Sequence, residues 1–340
     1  MKALLTNRWN EYLDKFDDSH KDIYFYEEYV KLYETGVDKA FCAVCYEGDS
    51  ILLMPFIRKD IDGYYDFETA YGYGGVLSNV DDEEWINNAI IVMGDMLKNE
   101  KYICGFIRFH CLINNLESCQ KHFPVFFDRN TVTINTEQAE EQIWSSQISS
   151  KNRNMIRKAE KNGLIYKAEY DFESIEEFIN LYNETMSRLD AEGFYFFDKN
   201  YYNNLVENLK GRAFLGTVRK DGKLICAAIF MYSKLYGHYH LEGSDHAFSS
   251  FGANNFLLWK TSVELHNLGV KQFHLGGGSN CHPDNSLLKF KKSFSKNMCD
   301  YYIGKWIFNE NKYQEIKQNW IKKNPEKAEK FGKLLLCYRY

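Results

Sequence analysis

Proline is scarce in this sequence: four residues in 340, at Pro55, Pro124, Pro283 and Pro325. With so few breakers and no low-complexity tract, disordered and collagen-like classes are excluded. Long apolar runs are missing too. A membrane-spanning helix needs about 18 or more consecutive apolar residues, and no such run occurs. The first residues, MKALLTNRWNEYLDKF, group only Ala3, Leu4 and Leu5 before charge returns, and so read as no secretory leader. A basic excess is also lacking, since 42 Lys and Arg face 47 Asp and Glu, a net charge of −5. Proteins that hold long stretches of nucleic acid need that excess, because phosphate neutralisation supplies most of their affinity. Extended DNA binding is therefore excluded, whereas a local basic patch is not. The nine cysteines, odd in number and scattered, fit a reducing compartment better than a disulfide framework. Cys42 and Cys45 have the CxxC spacing of redox and zinc pairs. They fall in FCAVCY, however, which reads as a strand whose positions three apart face opposite sides.

What is present suits two compact domains, given the chain length and the usual domain size. Two similar halves emerge when turns serve as anchors. FCAVCYE-GDS-ILLMPFIRKD is a hairpin, followed by a strand near 64–69, the glycine-rich Tyr71-Gly72-Tyr73-Gly74-Gly75, a helix over 82–98 and a strand over 102–109. FLGTVRK-DG-KLICAAIFMY is a second hairpin, followed by a strand over 235–242, a Gly/Ser-rich loop, a helix over 254–268 and a strand over 270–275. From Gly48 to the first helix is about 34 residues, and from Gly222 to the second about 32. Between the halves a helical segment is expected over 137–162, then a helix over 175–189 with Ser174 and Glu177 as a capping box. Asp81 with Glu84 reads as a similar arrangement for the 82–98 helix. Residues 312–336 close the chain as helix, broken near Pro325. The expected class is α/β with mixed sheets: a first domain over 1–145, a second over 146–309 and a helical segment over 310–340.

The strand LYGHYHLE carries the most chemistry. Strict alternation places Tyr236, His238, His240 and Glu242 on one face, with Tyr239 and Leu241 on the other. Four polar groups on a sheet covered by helices on both faces need partners, which a lined cleft supplies; an edge strand with one wet face is the plainer alternative. No complete metal-ligand spacing includes these histidines or Cys281-His282, so no metal is expected. After VKQFHL come Gly276, Gly277 and Gly278, which let a ligand or another backbone approach closely. A short helix follows, capped by Asp284 or Asn285. Leu287, Leu288, Phe290 and Phe294 form its apolar stripe, and Lys291 falls inside that stripe. An inward ammonium needs a carboxylate, a substrate or an anionic transition state, unless the stem packs and the head snorkels out. In KNRNMIRKAEK, Arg153, Arg157 and Lys161 lie on one line, as a solvated face or as phosphate contacts.

The run SSKNRNMIRKAEKNGL, followed at a distance by LGGG and SLLKFKKSF, resembles the Fem family of peptidoglycan-bridge aminoacyltransferases, built from two acetyltransferase-like (GNAT) domains. The resemblance covers the order of elements over nearly the whole chain. It implies transfer of an activated acyl group to an amine, with the donor in the C-terminal half and Lys291, the lysine of the FK pair, near that group. The stretch Ser249-Ser250-Phe251-Gly252-Ala253-Asn254 departs from the Gln/Arg-x-x-Gly-x-Gly/Ala turn with which acetyl-CoA enzymes hold a pyrophosphate at a helix start.

The expected activity is therefore acyl or aminoacyl transfer onto an amine of a nucleotide- or lipid-linked cell-envelope precursor, with the protein in the cytoplasm or at the inner face of the membrane. Aminoacyl-tRNA, met by a local contact at Arg153, Arg157 and Lys161, is the favoured co-substrate, and acyl-CoA is its rival; no tightly bound cofactor is expected. Glu242 or His240 is the expected base and Lys291 the oxyanion stabiliser. Tyr71, Tyr73 and Arg108 are expected to contact the acceptor, and Tyr236, His238 and Gly276 to Gly278 to line the substrate cleft. Two alternatives stay open: an acyl-CoA N-acyltransferase for an amino sugar or small amine, and a non-catalytic binder of the same precursor.

Overall fold

The computed structural model describes residues 1–113, 115–282 and 284–340. In chain order it begins with β1 (Lys2–Thr6) and the short helices α1 (Asn10–Leu13) and α2 (Glu27–Val30). Next come β2 (Lys39–Glu47), β3 (Ser50–Ile61), β4 (Tyr64–Glu68), the two-residue β5 (Leu77–Ser78), α3 (Glu83–Asn99) and β6 (Tyr102–Arg108). The middle holds β7 (Val125–Asn135), α4 (Glu140–Gln142), α5 (Ser150–Lys161), β8 (Ile165–Glu169), α6 (Ile175–Arg188) and α7 (Lys199–Asn208). It continues with β9 (Ala213–Lys220), β10 (Lys223–Tyr232), β11 (Tyr236–Ser244), α8 (Ala253–Asn267), β12 (Gln272–Gly277) and α9 (Ser286–Lys292). The chain finishes with β13 (Met298–Ile307), α10 (Glu310–Lys323) and α11 (Pro325–Phe331). No helix among the described residues is long and apolar enough to cross a membrane.

Two compact units result, Met1–Asp128 with Tyr301–Tyr340, and Arg129–Asp300. In the first, β1, β2, β3 and β4 form an antiparallel meander, α3 follows, β6 returns parallel to β4, and residues 303–307 of β13 pair antiparallel with β6. In the second, β8, β9, β10 and β11 form the meander, α8 follows, β12 returns parallel to β11, and residues 131–135 of β7 pair antiparallel with β12. Both units are mixed sheets of one strand order, and the hairpins at Gly48 and Gly222 join the second and third strands of each. The tandem α/β architecture expected from the matched spacings is the architecture found.

The boundaries are not those expected. The last strand of each sheet comes from the far side of the sequence: 301–307 completes the first unit and 129–135 the second. The expected boundaries at 145 and 309 are displaced because backbone pairing, not chain order, assigns those strands. The 310–340 segment belongs to the first unit as well. Tyr313, Ile316, Leu335 and Leu336 pack on Ile103 and Cys104 of β6, and Arg339 reaches the buried Asp66 of β4 at 2.8 Å.

Local caps explain smaller departures. The expected 137–162 helix breaks at Ile148, because Ser149 is extended and its side chain accepts from Asn152 N to begin α5 anew. Asp82, rather than Asp81, caps α3 by accepting from Trp85 N. Ser174 makes no capping bond; its hydroxyl donates instead to Glu169 Oε1 at 3.0 Å. Cys42 and Cys45 are buried in β2, and burial raises both thiols, Cys45 to about 11, which leaves them poor nucleophiles and ligands.

Candidate active site

The second unit opens where its parallel strands meet. β11 and β12 pair only at Tyr236↔Gln272, Gly237↔Phe273 and His238↔His274. Beyond that point β11 stays with β10 as far as Ser244, and β12 stays with β7 as far as Gly277. A bulge marks the parting on each strand, at His240 between Leu241 and Tyr239, and at Leu275 between His274 and Gly276. An extra residue bends a strand and increases its local twist, which turns the two strands apart.

The bulge at His240 corrects the strict alternation expected for β11. A two-residue period lapses where one extra residue is inserted. Tyr239 packs with the α8-side core and stacks on Phe230 at 5.7 Å, and Glu242 bonds to Asn254 of α8. Gly243 backs directly onto Leu181 and Tyr182 of α6, on the other face. His240 turns toward α7, where its Nε2 and the Tyr201 hydroxyl lie 2.6 Å apart. Burial and then His238 drive the His240 imidazole down to about 3, so it is neutral at working pH. Tyr239, not His240, therefore shares a side with Glu242. Sequence reasoning missed Tyr239, because no residue type in LYGHYHLE announces a bulge.

Lys291 lies at this opening. Asn285 caps α9 by accepting from Leu288 N, which rotates Lys291 inward, where it is 7% exposed. Its ammonium donates to Gly277 O at 2.7 Å, at the end of β12, and stands 5.7 Å from the Tyr239 ring centre on β11. One cation thus spans the two parted strands. Burial lowers Lys291 to about 7, against the pull of Glu242 and together with the repulsion of Arg129. Burial likewise raises Glu242 above the ordinary carboxylate range, although donors and Arg188 oppose it. The glycine run leaves room for this arrangement. A Cβ on Gly277 would meet Arg129 Cδ and Asn130 O at 2.9 Å, and one on Gly278 would meet Asn285 Oδ1 at 2.5 Å. Gly276 is left-handed, at φ 74°.

The other expected residues are spread more widely. Tyr236 and His238 are buried where β11 and β12 still pair, and the His238 ring lies 5.6 Å from that of His274. Arg153 donates to the carbonyls of Trp144, Ser145 and Ile148 and so caps the turn before α5, which commits its guanidinium to the fold. Arg157 and Lys161 are exposed, with Arg157 lying over the Trp144 ring. In the first unit, Tyr73 meets Tyr24 and Tyr301 edge-on at 5.3 and 5.4 Å, and the Tyr71 carbonyl accepts from the Tyr29 hydroxyl. Arg108 is held by Glu68 at 2.8 Å and by Thr69 O. Although burial opposes it, Arg108 and Lys59 hold Glu68 down at about 2.

Comparison with known proteins bears on the fold. Residues 147–292 match the acetyltransferase (GNAT) domain family, a segment that contains Glu242 and Lys291. None of the curated proteins matches the sequence. The crystal structure of FemX superposes with a TM-score of 0.73 at 16% identity, covering 93% of this chain and 100% of FemX. A domain described as the C-terminal part of a candidate lysylphosphatidylglycerol synthetase from Agrobacterium fabrum gives 0.57 at 14% identity, covering 89% of this chain and 93% of its own. A tandem GNAT protein from the clavulanic acid biosynthesis pathway gives 0.51 at 6% identity, covering 89% of this chain and 98% of its own. The chain has the fold that FemX and the tandem GNAT protein share, and its residues 147–292 match the acetyltransferase (GNAT) domain family.

Proposed function

We propose that the protein transfers an activated acyl or aminoacyl group to an amine of a cell-envelope precursor, at the parting of β11 and β12. The observation that carries this reading is the Lys291 ammonium spanning the two strands, buried, with Glu242 close enough to act on its protonation. Glu242 takes a proton from the acceptor ammonium, which frees the nitrogen lone pair. The neutral amine then attacks the acyl carbon, and the oxyanion of the tetrahedral intermediate forms beside the Lys291 ammonium. Collapse expels the donor's oxygen or sulfur, which takes up the second proton shed by the attacking nitrogen, and an amide remains while Glu242 returns its proton to solvent. Both groups have the right bias, since a raised carboxylate is a better base near neutrality and a lowered ammonium is the better proton donor.

The donor we favour is aminoacyl-tRNA. Its terminal adenosine and ester can be held by stacking and a few hydrogen bonds, and Arg157 and Lys161 are exposed to meet phosphates. A pyrophosphate cradle is hindered on one side of the α8 N-terminus, where a Cβ on Gly252 would lie 2.7 Å from Met155 O. Acyl-CoA is the second reading, favoured by the family match of residues 147–292. FemX and the lysylphosphatidylglycerol synthetase domain share this fold, which is the support for an envelope precursor as acceptor, and the reaction is proposed to take place in the cytoplasm or at the inner face of the membrane. Tyr71 and Tyr73 are the proposed acceptor contacts, with Arg108 stiffening the strand beneath them.

The test is incubation with either acyl-CoA or charged tRNA, plus muropeptide precursors, with the acceptor mass recorded. A mass gain with charged tRNA supports the favoured donor, and a gain with acyl-CoA alone replaces it. Acceptor binding without a gain identifies a binding protein and ends the enzymatic reading. Calorimetry with acetyl-CoA at physiological salt adds a direct check: micromolar binding overturns the tRNA preference.

A further inference from the structure

Glu242 is held by more than its own strand. Asn254, in the first turn of α8, turns its side chain back toward β11 and donates from Nδ2 to Glu242 Oε1 at 2.9 Å. The Cys226 thiol on β10 donates to the same oxygen at 3.6 Å. The Ser244 hydroxyl lies against that carboxyl from two residues along β11. Asn254 occupies the last position of the 249–254 stretch, where acetyl-CoA enzymes have a small residue beside a phosphate. Here the position carries an amide directed at a carboxylate, so the start of α8 serves the base.

Each N–H bond to a buried carboxylate favours its charged form and offsets part of the desolvation. Loading one oxygen also fixes the plane of the carboxyl, which decides where the other oxygen points. We propose that Asn254 is a positioning residue that clamps Glu242 through Oε1, so that Oε2 receives the proton of the acceptor ammonium. This clamp rests on the transfer reading for its purpose, though not for its geometry. The charged and titratable groups facing Glu242 are Lys291 from α9, Arg188 from α6, Cys226 from β10 and Tyr239 on β11 itself. Asn254 is neutral, so its removal changes hydrogen bonding to the carboxyl without adding or removing a charge.

The experiment compares wild type with Asn254→Ala and Asn254→Asp by two readouts. One is the acid limb of the kcat/KM pH profile. The other is an infrared pH titration of the carboxyl band that disappears in Glu242→Gln, which needs no turnover. Loss of the donor is expected to move both upward by about one pH unit in Asn254→Ala. The shift is larger in Asn254→Asp, which adds a negative charge at nearly constant volume. An unmoved titration in both variants, or a rate loss equal at every pH, overturns the clamp. If wild type transfers nothing from any donor, the infrared titration decides alone: a shift upholds the clamp while the transfer reading fails, and no shift ends both. Should Asn254→Ala not fold, the isosteric Asn254→Asp carries the same comparison.

Discussion

β4 with β6 in the first unit, and β11 with β12 in the second, hold the same place in the same six-strand order, yet only the second pair comes apart. β4 and β6 pair from Tyr65 to Glu68, continue through Thr69 N to Phe106 O, and join once more at Gly74↔Phe109. Thr69 Oγ1 also accepts from Arg108 N. Along that seam, Lys59 and Arg108 each pair with one oxygen of Glu68. In the second unit, two bulges end the pairing after three residues, and a cation from α9 fills the gap. The two units share one frame, and the extra residues at His240 and Leu275 part the strands in one of them, where the proposed function puts the substrate. Charge that is fully paired stiffens a sheet, whereas charge that is buried and only partly paired is available for chemistry.

The comparison breaks first at Lys291. Lys291→Met keeps the stem volume and removes the ammonium, so we expect transfer to fall by about a hundredfold or more while the fold persists. Normal transfer, or a loss of several kcal/mol in stability, would make this lysine a structural one. Glu242→Gln should come next, with kcat reduced by about 10²-fold and KM little changed, because a base acts in the transition state. Steady-state kinetics with varied acceptor separates the two constants.

The first unit should respond in the opposite way. Arg108→Met removes one of the two cations on Glu68 and leaves Lys59 as its remaining partner, so we expect a stability loss of about 2 kcal/mol in urea unfolding, with only a modest effect on kcat. A collapse of kcat at unchanged stability would move the chemistry to this unit.

A subtler effect concerns pH. Lys291 titrates at about 7 in the folded chain and at its ordinary, higher value when unfolded. Above pH 7 the unfolded chain therefore binds more protons, and stability rises with pH across that window. Comparing the pH dependence of unfolding in wild type and Lys291→Met isolates this slope, which the variant should lack. In the same window, transfer should decline as the ammonium is lost.

Much of the frame was legible in the sequence because its signals are local. Asp-Gly and Gly-Asp turns, amphipathic helix spacing and the matched distances after Gly48 and Gly222 gave both halves in order. The exchange of the last strands was not legible, since 129–135 and 301–307 reveal nothing of their partners in composition or spacing. Lys291 was readable from a helical wheel, because an apolar stripe interrupted by one charge is a short-range pattern. Glu242 was singled out on an alternation that holds only in part, and Tyr239 was placed on the wrong face. Both follow from the bulge at His240. Arg153 and Arg108 looked available for phosphate and acceptor, but nearby carbonyls and Glu68 hold them, and only a three-dimensional structure reveals those partners.

The most direct test of a single transfer site at the parted strands is a single-turnover assay that follows acceptor mass in wild type, Lys291→Met and Arg108→Met, each shown to be folded by its thermal midpoint. The account predicts mass gain in wild type and Arg108→Met and none in Lys291→Met at a midpoint no lower than that of wild type. Equal mass gain in wild type and Lys291→Met would contradict it.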